Sequence, residues 1–445
     1  MGASTLYAPS PRRRRSLELG SFVMAIVKTG RRVAVIGGGV IGVCAASWLL
    51  RDGHDVTIIE PDGIGMGSSF GNAGCLNASS VVPMSMPGNL SKVPGWLLDP
   101  LGPLSIRWSY LPKIAPWLLA FVRAGTPEKV THQAAALRPL LHDSFGAYAP
   151  LVRDANAGHL VRRNGHLVAY RSKQDFEGDA LGWKLRRDNG IGFDLLERDA
   201  LWQQEPSLSH DYQFGVFIPD NGHTTNPNQL VRALADAFER DGGKILVAAA
   251  RSFSFDGERL VAVKTDAGEV PADAAVVAAG ARSRPFTVEL GDAVPLDTER
   301  GYHIIIKDPE AVPRTSILDA AGKFVATPMD MGLRLAGTVE FAGLDADPDW
   351  RRARKLLTLG QRLFPALRDT YSEERLSLWM GFRPSIPDSL PVIGPSRRSR
   401  DVVYAFGHGH VGLAAGATTG RAVADLLAGR PSELPLDAFS PARFH

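Results

Sequence analysis

The distribution of apolar and polar positions near the N-terminus predicts a strand, a helix and a second strand in close succession. Residues 32–36 (RVAVI) form a continuous apolar run rich in β-branched side chains, which is typical of a strand buried on both faces. A glycine-rich turn follows, then a helical stretch to about Arg51 and a helix stop at Gly53. Residues 54–59 (HDVTII) form a second strand-like run. This order of elements predicts a parallel βαβ unit.

A second helix is predicted where Asn226 can cap the N-terminus and Pro227 fits the first helical position. Gly242-Gly243 ends this helix, and strands over 244–248 and 274–279 follow on either side of a hairpin-like stretch. These elements are predicted to continue the domain that the βαβ unit begins. The predicted buried face of the helix carries Leu230, Leu234, Ala237 and Phe238.

Other stretches alternate apolar and polar residues with a period of two. They cover residues 158–171, 296–306 and 323–341, and a helix is predicted over 349–363. Period-two alternation is typical of antiparallel strands that pack one face on a core. These stretches therefore predict a second domain built on an antiparallel sheet.

The turn after the first strand has the spacing of a dinucleotide phosphate site. Residues 37–42 fit G-x-G-x-x-G: Gly37 permits the tight turn, Gly39 lets the backbone approach the pyrophosphate, and Gly42 lets the helix pack on the strand. The helix N-terminus supplies free N–H groups and a positive dipole end. Glu60, eighteen positions beyond Gly42, can accept hydrogen bonds from ribose hydroxyls and would repel a 2′-phosphate. The fingerprint alone leaves NAD and FAD open.

We therefore predict an α/β (α+β two-domain) fold, in which a Rossmann-type domain is interleaved with an antiparallel-sheet domain. The predicted bounds are 31–90, 224–292 and 376–432 for the first domain, 91–223 and 293–375 for the second, and 1–30 and 433–445 for two tails.

Composition argues against a general nucleic-acid binder and against a cysteine-based metal or redox site. The 445 residues are 44% hydrophobic and 22% charged, and 50 basic residues nearly balance 47 acidic ones, which is ordinary globular usage. Because the basic residues are not massed on one segment of the folded part, a general nucleic-acid binder is not expected. The two cysteines, Cys44 and Cys75, form no metal-ligand spacing and no redox pair, so no metal and a reducing compartment are expected.

Two segments bear on where in the cell the protein is expected. Residues 10–20 carry four successive arginines without a following apolar run, so we predict a disordered tail over 1–30, with Met24 as an alternative initiator, rather than a signal peptide. A targeting or anionic-lipid-binding arm is the alternative. Residues 93–122, rich in Trp, Tyr and Pro, either pack on the second domain or dip into a membrane surface. A cytoplasmic protein, or one peripheral on the inner face of the cytoplasmic membrane, is expected.

Four further motifs carry the resemblance to a known family. Residues 67–74 (GSSFGNAG) are small and polar, as suits a loop lying flat against a planar ring. Residues 379–384 read W-x-G-x-R-P, and 387–394 follow as PDSLPVIG. Residues 407–412 form a second glycine turn between a strand and a helix. Together the motifs resemble the FAD-dependent amine oxidoreductases of the D-amino-acid oxidase superfamily, in particular the bacterial D-amino-acid dehydrogenase branch, over residues 31 to about 430.

The resemblance implies FAD as the cofactor. Relatives with covalently bound flavin carry a histidine in the 67–74 loop, and none occurs here, so non-covalent binding is expected. His408 and His410 either contact the cofactor or make hydrogen bonds at the helix entry, and Cys75 is either a flavin-edge residue or a buried structural thiol. The implied cofactor-binding residues are Gly37, Gly39, Val40, Ile41, Gly42, Glu60, Ser68, Ser69, Asn72, Ala73, Gly74, Ala279, Gly280, Gly407, His408, Gly409, His410, Gly412 and Leu413.

For the substrate, the resemblance points to Arg383. A planar guanidinium matches a carboxylate with two parallel hydrogen bonds, although a structural ion pair is an alternative role. Tyr302 is implied as a second carboxylate partner or active-site wall, on a strand expected to face the flavin. His303, expected on the opposite face of a regular strand, is a third and lower-ranked catalytic candidate.

The implied reaction is oxidative deamination of an amino acid, most typically a D-amino acid, by hydride transfer from the α-carbon to flavin N5. The imine hydrolyses to a 2-oxo acid and ammonia. A quinone, an electron-transfer protein or oxygen is the expected electron acceptor, with dehydrogenase activity favoured. Alternatives are a secondary-amine oxidoreductase for hydroxyproline, proline, sarcosine, glycine or an opine; a non-catalytic FAD-carrying subunit; and an NAD-dependent dehydrogenase, which would leave the C-terminal motifs unexplained.

Overall fold

The computed structural model describes residues 30–87 and 101–445. The predicted N-terminal tail is outside this range apart from residue 30, as are residues 93–100 of the Trp-rich stretch.

Within the described residues, the strands form a six-stranded sheet, a larger mixed sheet, a three-stranded sheet and a two-stranded ribbon. The strands are β1 Arg32–Ile36, β2 Asp55–Ile59, β3 Leu104–Ile106, β4 Val161–Arg162, β5 His166–Tyr170, β6 Asp194–Glu197, β7 Phe214–Ile218, β8 His223–Thr224, β9 Lys244–Leu246, β10 Ala250–Asp256, β11 Arg259–Thr265, β12 Gly268–Pro271, β13 Ala274–Val277, β14 Asp297–Ile306, β15 Ser316–Asp319, β16 Phe324–Met329, β17 Gly332–Phe341, β18 Leu376–Ser385, β19 Val392–Pro395 and β20 Val402–Phe406.

Helix positions agree with the sequence where the capping residue and the apolar face lie within one short segment. Asn226 caps its helix by accepting a hydrogen bond from the Gln229 N–H at 3.1 Å, and the four residues predicted for its apolar face are all buried. The helices are α1 Val40–Arg51, α2 Leu111–Ala124, α3 Pro127–Leu141, α4 Ser144–Asp154, α5 Lys173–Gly178, α6 Ala180–Asp188, α7 Arg198–Gln204, α8 Pro227–Arg240, α9 Arg284–Glu289, α10 Trp350–Leu363, α11 Gly412–Leu427 and α12 Leu436–Phe439.

The six-stranded sheet has the order β19-β20-β13-β1-β2-β9 and is parallel except for β19. Its central strand β1 is buried on both faces. Val33 and Val35 pack in the core with helices α1, α8 and α11, whereas Ala34 and Ile36 pack towards the small sheet β10-β11-β12. This architecture explains the continuous apolar run of β1 and confirms the predicted Rossmann-type domain.

Helices α1 and α11 cross in close contact because Gly420 carries no side chain. A Cβ at Gly420 would lie 2.6 Å from the Cys44 carbonyl carbon. The two helices follow β1 and β20, so both of their N-termini lie at the carboxyl edge of the parallel sheet. That edge is where open α/β sheets bind ligands.

The larger sheet runs β18-β14-β17-β16-β15-β5-β7-β6, with β3 added beside β17. Strand β18 pairs with β14 along its whole length, from Asp297 with Ser385 to Ile306 with Leu376. Residues 376–385 therefore belong to this sheet, whereas the sequence analysis placed them with the Rossmann-type domain. The error has a physical reason: sheet membership depends on a strand's partner, which is distant in sequence. The other domain boundaries remain predictions.

Among residues 30–87 and 101–445, no helix has the length and apolar character needed to cross a bilayer.

Candidate active site

The motif residues meet between the two main sheets. The glycine turns after β1 and β20 lie at the carboxyl edge of the six-stranded sheet. Strands β14 and β18 of the larger sheet face the 67–74 loop, which we call the flavin loop.

The first glycine turn has the geometry of a pyrophosphate cradle. Gly37 has a φ of +110°, and a Cβ there would lie 2.5 Å from the Ala278 carbonyl oxygen. A Cβ at Gly42 would lie only 1.9 Å from the Gly37 oxygen, so helix and strand could not pack as they do. Gly39 caps α1 without a side-chain hydrogen bond. The helix N-terminus is therefore open to an anion, as FAD requires.

The neighbouring residues complete this end of the site. Glu60 accepts hydrogen bonds from the Gly38 N–H at 2.7 Å and the Asp62 N–H at 2.9 Å. Since a carboxylate has about four acceptor positions, it can still accept from ribose hydroxyls. The Val40 N–H donates to the Ser69 hydroxyl at 3.0 Å, which places Ser69 at the start of α1. Ala279 borders Gly37, and Gly280 has a φ of +56° with open space around its Cβ position.

The second glycine turn leaves another helix N-terminus open. Gly407 and Gly409 have φ values of +84° and +49°, and the Gly409 N–H donates to the Pro384 carbonyl at 2.8 Å. Helix α11 then begins at Gly412, followed by the buried Leu413, and has no side-chain cap. This N-terminus can stabilise negative charge on a bound ring.

The two histidines of this turn differ in their surroundings. His408 is 3% exposed, its Nε2 lies 2.9 Å from the Thr419 hydroxyl, and burial lowers its pKa to about 3. It is therefore a neutral residue bonded within the helix entry. The Nε2 of His410 lies 2.8 Å from Glu299 Oε2 on β14, which ties the glycine turn to the larger sheet.

Glu299 is a buried carboxylate in the centre of the site. It also accepts a hydrogen bond from the Ser385 hydroxyl at 2.6 Å. Burial raises the pKa of Glu299, but His410, Ser385 and the nearby Arg383 outweigh it and lower the pKa to about 2. Glu299 is thus ionised at neutral pH. No role was predicted for Glu299 from the sequence.

Arg383 lies on β18 opposite Glu299. Its Nη1 donates to the Thr338 carbonyl at 2.9 Å, and the guanidinium covers Gly301, where a Cβ would lie 2.2 Å from Arg383 Cζ. Thr338 has a φ of +60°, rare for a β-branched residue, at a register shift between β14 and β17. Among the described residues, no carboxylate lies within 4 Å of this guanidinium, so a structural ion pair is not observed.

The prediction about the faces of β14 is wrong. Tyr302 points away from the flavin loop: its hydroxyl donates to Glu340 Oε2 at 2.6 Å and its ring packs edge-on against Trp350 of α10. His303 instead faces the loop, with Nδ1 donating to the Gly71 carbonyl at 3.1 Å and its ring stacked on Trp379. Side chains alternate between the two faces of a strand, so Glu299, Gly301 and His303 share the face towards the loop and Tyr302 lies on the other.

The 67–74 loop is held mostly through its backbone. The Ser68 hydroxyl donates to the Phe382 carbonyl, and Asn72 Oδ1 accepts from the Gly74 N–H at 2.8 Å. Thr327 and Arg334, which sequence analysis missed, donate to the carbonyls of Ala73 and Asn72. The sequence gives neither residue a separate signal, because polar side chains at alternate positions are expected in the stretch 323–341.

The cysteines do not add redox chemistry to the site. Cys44 is fully buried in α1. Cys75 forms an isolated β-bridge with His223, and burial raises the pKa of its thiol to about 12, so the thiol is protonated. In the described part of the chain, no cluster of three or more His, Cys, Asp or Glu residues is arranged to hold a metal ion.

Comparison with known proteins agrees with this geometry. The model of the FAD dependent oxidoreductase (DAO) family matches residues 32–426. The chain belongs to this family. The predicted family, fold class and enzyme class are thereby confirmed, with FAD as the cofactor.

Individual members of the family are similar over nearly the whole chain. The D-amino-acid oxidase of Bradyrhizobium diazoefficiens is 48% identical over 418 residues, which cover 93% of this chain and 99% of the relative. A D-amino acid dehydrogenase of the same organism is 30% identical, with 93% and 99% covered. The crystal structure of glycine oxidase from Bacillus cereus superposes with a TM-score of 0.70 at 20% identity, covering 92% of this chain and 97% of that structure.

Proposed function

We propose that this protein catalyses the FAD-dependent oxidative deamination of an amino acid, with D-amino acids as the substrate class. The observation that carries the proposal is Arg383, a guanidinium without an ion-pair partner among the described residues, beside the flavin loop. The D-amino-acid names of the two relatives support the substrate class.

Arg383 would bind the substrate carboxylate. Its Nη1 is held by the Thr338 carbonyl and its plane lies on Gly301, so the group is oriented before substrate arrives. A fixed guanidinium can form two parallel hydrogen bonds to a carboxylate, which fixes the position of the α-carbon. Bound FAD supplies the acceptor for the hydride that leaves this carbon, and the imine product hydrolyses to a 2-oxo acid and ammonia.

Glu299 and His410 would order the other side of the pocket. The ionised carboxylate attracts Arg383 and accepts from Ser385, while its second oxygen is paired with His410. This arrangement keeps the α11 turn and strand β18 at a fixed separation. The role is to position groups, because a carboxylate with a pKa of about 2 is a poor proton acceptor at neutral pH.

An anaerobic substrate panel tests the proposal. Purified FAD-loaded protein is mixed with D-amino acids, their L-enantiomers, D-proline derivatives and N-methylglycine, and bleaching of the flavin absorption is followed. Bleaching by primary D-amino acids is expected. If only cyclic or N-alkyl substrates bleach the flavin, the protein is a secondary-amine oxidoreductase. If no amine does, it is a non-catalytic FAD carrier.

The electron acceptor belongs to the same proposal. Oxygen, a quinone and an electron-transfer protein are the candidates, and hydrogen peroxide formation compared with dye reduction on one preparation separates oxygen from the others.

We also propose peripheral membrane contact through residues 93–122, of which the structure describes residues 101–122. Ile114 and Trp117 pack on Phe341, whereas Trp108 is 78% exposed and Leu119 is 50% exposed. Exposed apolar side chains of this kind suit a membrane interface. Co-sedimentation with anionic vesicles is expected and should decrease in Trp108→Ser.

A further inference from the structure

Three side chains of the larger sheet hold three successive carbonyls of the flavin loop. His303 Nδ1 donates to the Gly71 carbonyl at 3.1 Å, Arg334 Nη1 to the Asn72 carbonyl at 2.5 Å, and Thr327 Oγ1 to the Ala73 carbonyl at 2.8 Å. The three donors come from the neighbouring strands β14, β17 and β16. We call His303, Thr327 and Arg334 the carbonyl clamp.

The clamp fixes which way the 71–73 segment faces. Its carbonyls turn towards the sheet, and the loop is pressed close, since a Cβ at Gly71 would lie 2.0 Å from the Trp379 ring. The opposite side of the segment is the one left for a ring. A loop held by three separate hydrogen bonds is preorganised, so cofactor binding need not order it.

Arg334 brings an unusual charge to this position. It is 2% exposed, its Nε has no hydrogen-bond partner, and no carboxylate of the described residues lies within 4 Å of it. Burial lowers the pKa of Arg334 to about 10, so the group is still cationic at neutral pH. A buried cation bonded only to a carbonyl is costly unless a negative partner binds nearby.

His303 cannot be that negative partner, nor a second cation. Its own pKa falls to about 3 through burial and the adjacent Arg334, so the imidazole is neutral. Thr327 is uncharged. The positive charge of the clamp is therefore that of Arg334 alone.

We propose that the carbonyl clamp positions the 71–73 segment against the FAD ring, and that Arg334 supplies positive charge that stabilises the reduced, negatively charged ring. The inference rests on FAD as the cofactor and is independent of which amine is the substrate. Arg334 acts in part through the loop backbone and is a positioning residue.

The test compares Arg334→Met, Arg334→Lys and Thr327→Val with two matched controls. Arg300→Met removes another buried arginine that donates to backbone carbonyls, those of Gly343 and Ala346, on the opposite face of the sheet. Thr287→Val removes another buried threonine that donates to a carbonyl, that of Arg284. Each holoprotein is measured for FAD dissociation constant, visible spectrum and midpoint potential of the flavin.

Arg334→Met should lower the equilibrium constant of two-electron flavin reduction about tenfold. The midpoint potential then becomes more negative by about 30 mV. Arg334→Lys should recover most of this change because it keeps the charge. Thr327→Val should weaken FAD binding several-fold and shift the visible spectrum with a smaller change in potential. The controls should change neither the potential nor the spectrum, even where they lower stability.

Two results would overturn the proposal. If Arg334→Met raises KM while the potential and spectrum stay those of the wild type, Arg334 binds substrate and not the reduced ring. If all the clamp variants behave like their matched controls, the clamp is only part of the sheet packing. Should Arg334→Met fail to fold, Arg334→Lys and Thr327→Val still decide the positioning role through the spectrum and FAD affinity.

Discussion

Arg383 and Glu299 face each other across strands β18 and β14, and their charges define the centre of the candidate site. Neither side chain forms a short ion pair with the other among the described contacts. The guanidinium is instead oriented by the Thr338 carbonyl and the carboxylate by Ser385 and His410. The hydrogen-bonding capacity that Arg383 retains can therefore go to a substrate carboxylate.

Replacing Arg383 should affect substrate binding more than cofactor binding. Hydrogen bonds to a charged group contribute about 1.5–3 kcal/mol, so Arg383→Met should lower kcat/KM by roughly 10- to 100-fold, mainly through KM. Arg383→Lys should recover little, because an ammonium cannot form the same two parallel bonds. Steady-state kinetics checks this, with Arg362→Lys, on the exposed side of α10, as the control. An unchanged KM in Arg383→Met would remove the assigned role.

Glu299 should make the folded protein sensitive to acid in a defined window. Its pKa falls from 4.5 to about 2 in the fold, so its ionised form contributes stability above pH 4.5 that is lost as the pH falls towards 2. That shift corresponds to roughly 3 kcal/mol. Urea unfolding at pH 5 and pH 3.5 should show a smaller pH dependence in Glu299→Gln than in the wild type. Glu239→Gln, on the exposed side of α8, should match the wild type in this respect.

At the level of elements, the contact between α1 and α11 fixes two helix N-termini beside one cofactor. Gly420 permits this contact because its Cβ position lies 2.6 Å from backbone atoms of Cys44. A displaced α11 would move the Gly407–Gly412 turn relative to the Gly37–Gly42 turn. The two anion-stabilising ends would then no longer match one dinucleotide.

Gly420→Ala tests this dependence. The added methyl group meets backbone rather than a flexible side chain, so the helices must separate, at a cost of about 1–3 kcal/mol. We expect a lower Tm and weaker FAD binding. Gly178→Ala, where a Cβ would meet nothing within 4 Å, is the matched control and should leave FAD affinity unchanged. Equal FAD affinity in both variants would show that the helix contact is not tuned to the cofactor.

The secondary-structure elements differ in how well their positions and partners can be predicted from the sequence. The βαβ unit and the Asn226 cap were predicted correctly because their signals lie within a few residues of one another. The face of Tyr302 and the sheet of residues 376–385 were not, because both depend on partners distant in sequence. Tyr302 bonds Glu340, 38 residues away, and β18 pairs with β14 about eighty residues away. Alternation shows that a strand has two faces without showing which one meets the loop. Thr327 and Arg334 were missed for the same reason.

For the whole molecule, the candidate cofactor site joins the two main sheets. The glycine turns belong to the six-stranded sheet, whereas the 71–73 segment is hydrogen-bonded to the larger sheet by the carbonyl clamp. The pair formed by Glu299 and His410 connects the same two parts. A bound FAD would therefore contact both and stabilise their relative position.

This arrangement predicts that FAD stabilises the whole protein and not only one domain. A ligand that binds the folded state alone stabilises it by RT ln(1 + [L]/Kd), about 2.7 kcal/mol at a hundred times Kd. Thermal unfolding of FAD-stripped protein should therefore shift to higher temperature on addition of FAD, as a single transition followed by both near-UV dichroism and intrinsic fluorescence. NADP⁺ at equal concentration should have little effect, because Glu60 disfavours a 2′-phosphate. Two separate transitions, with only one displaced by FAD, would contradict a cofactor site shared between the sheets.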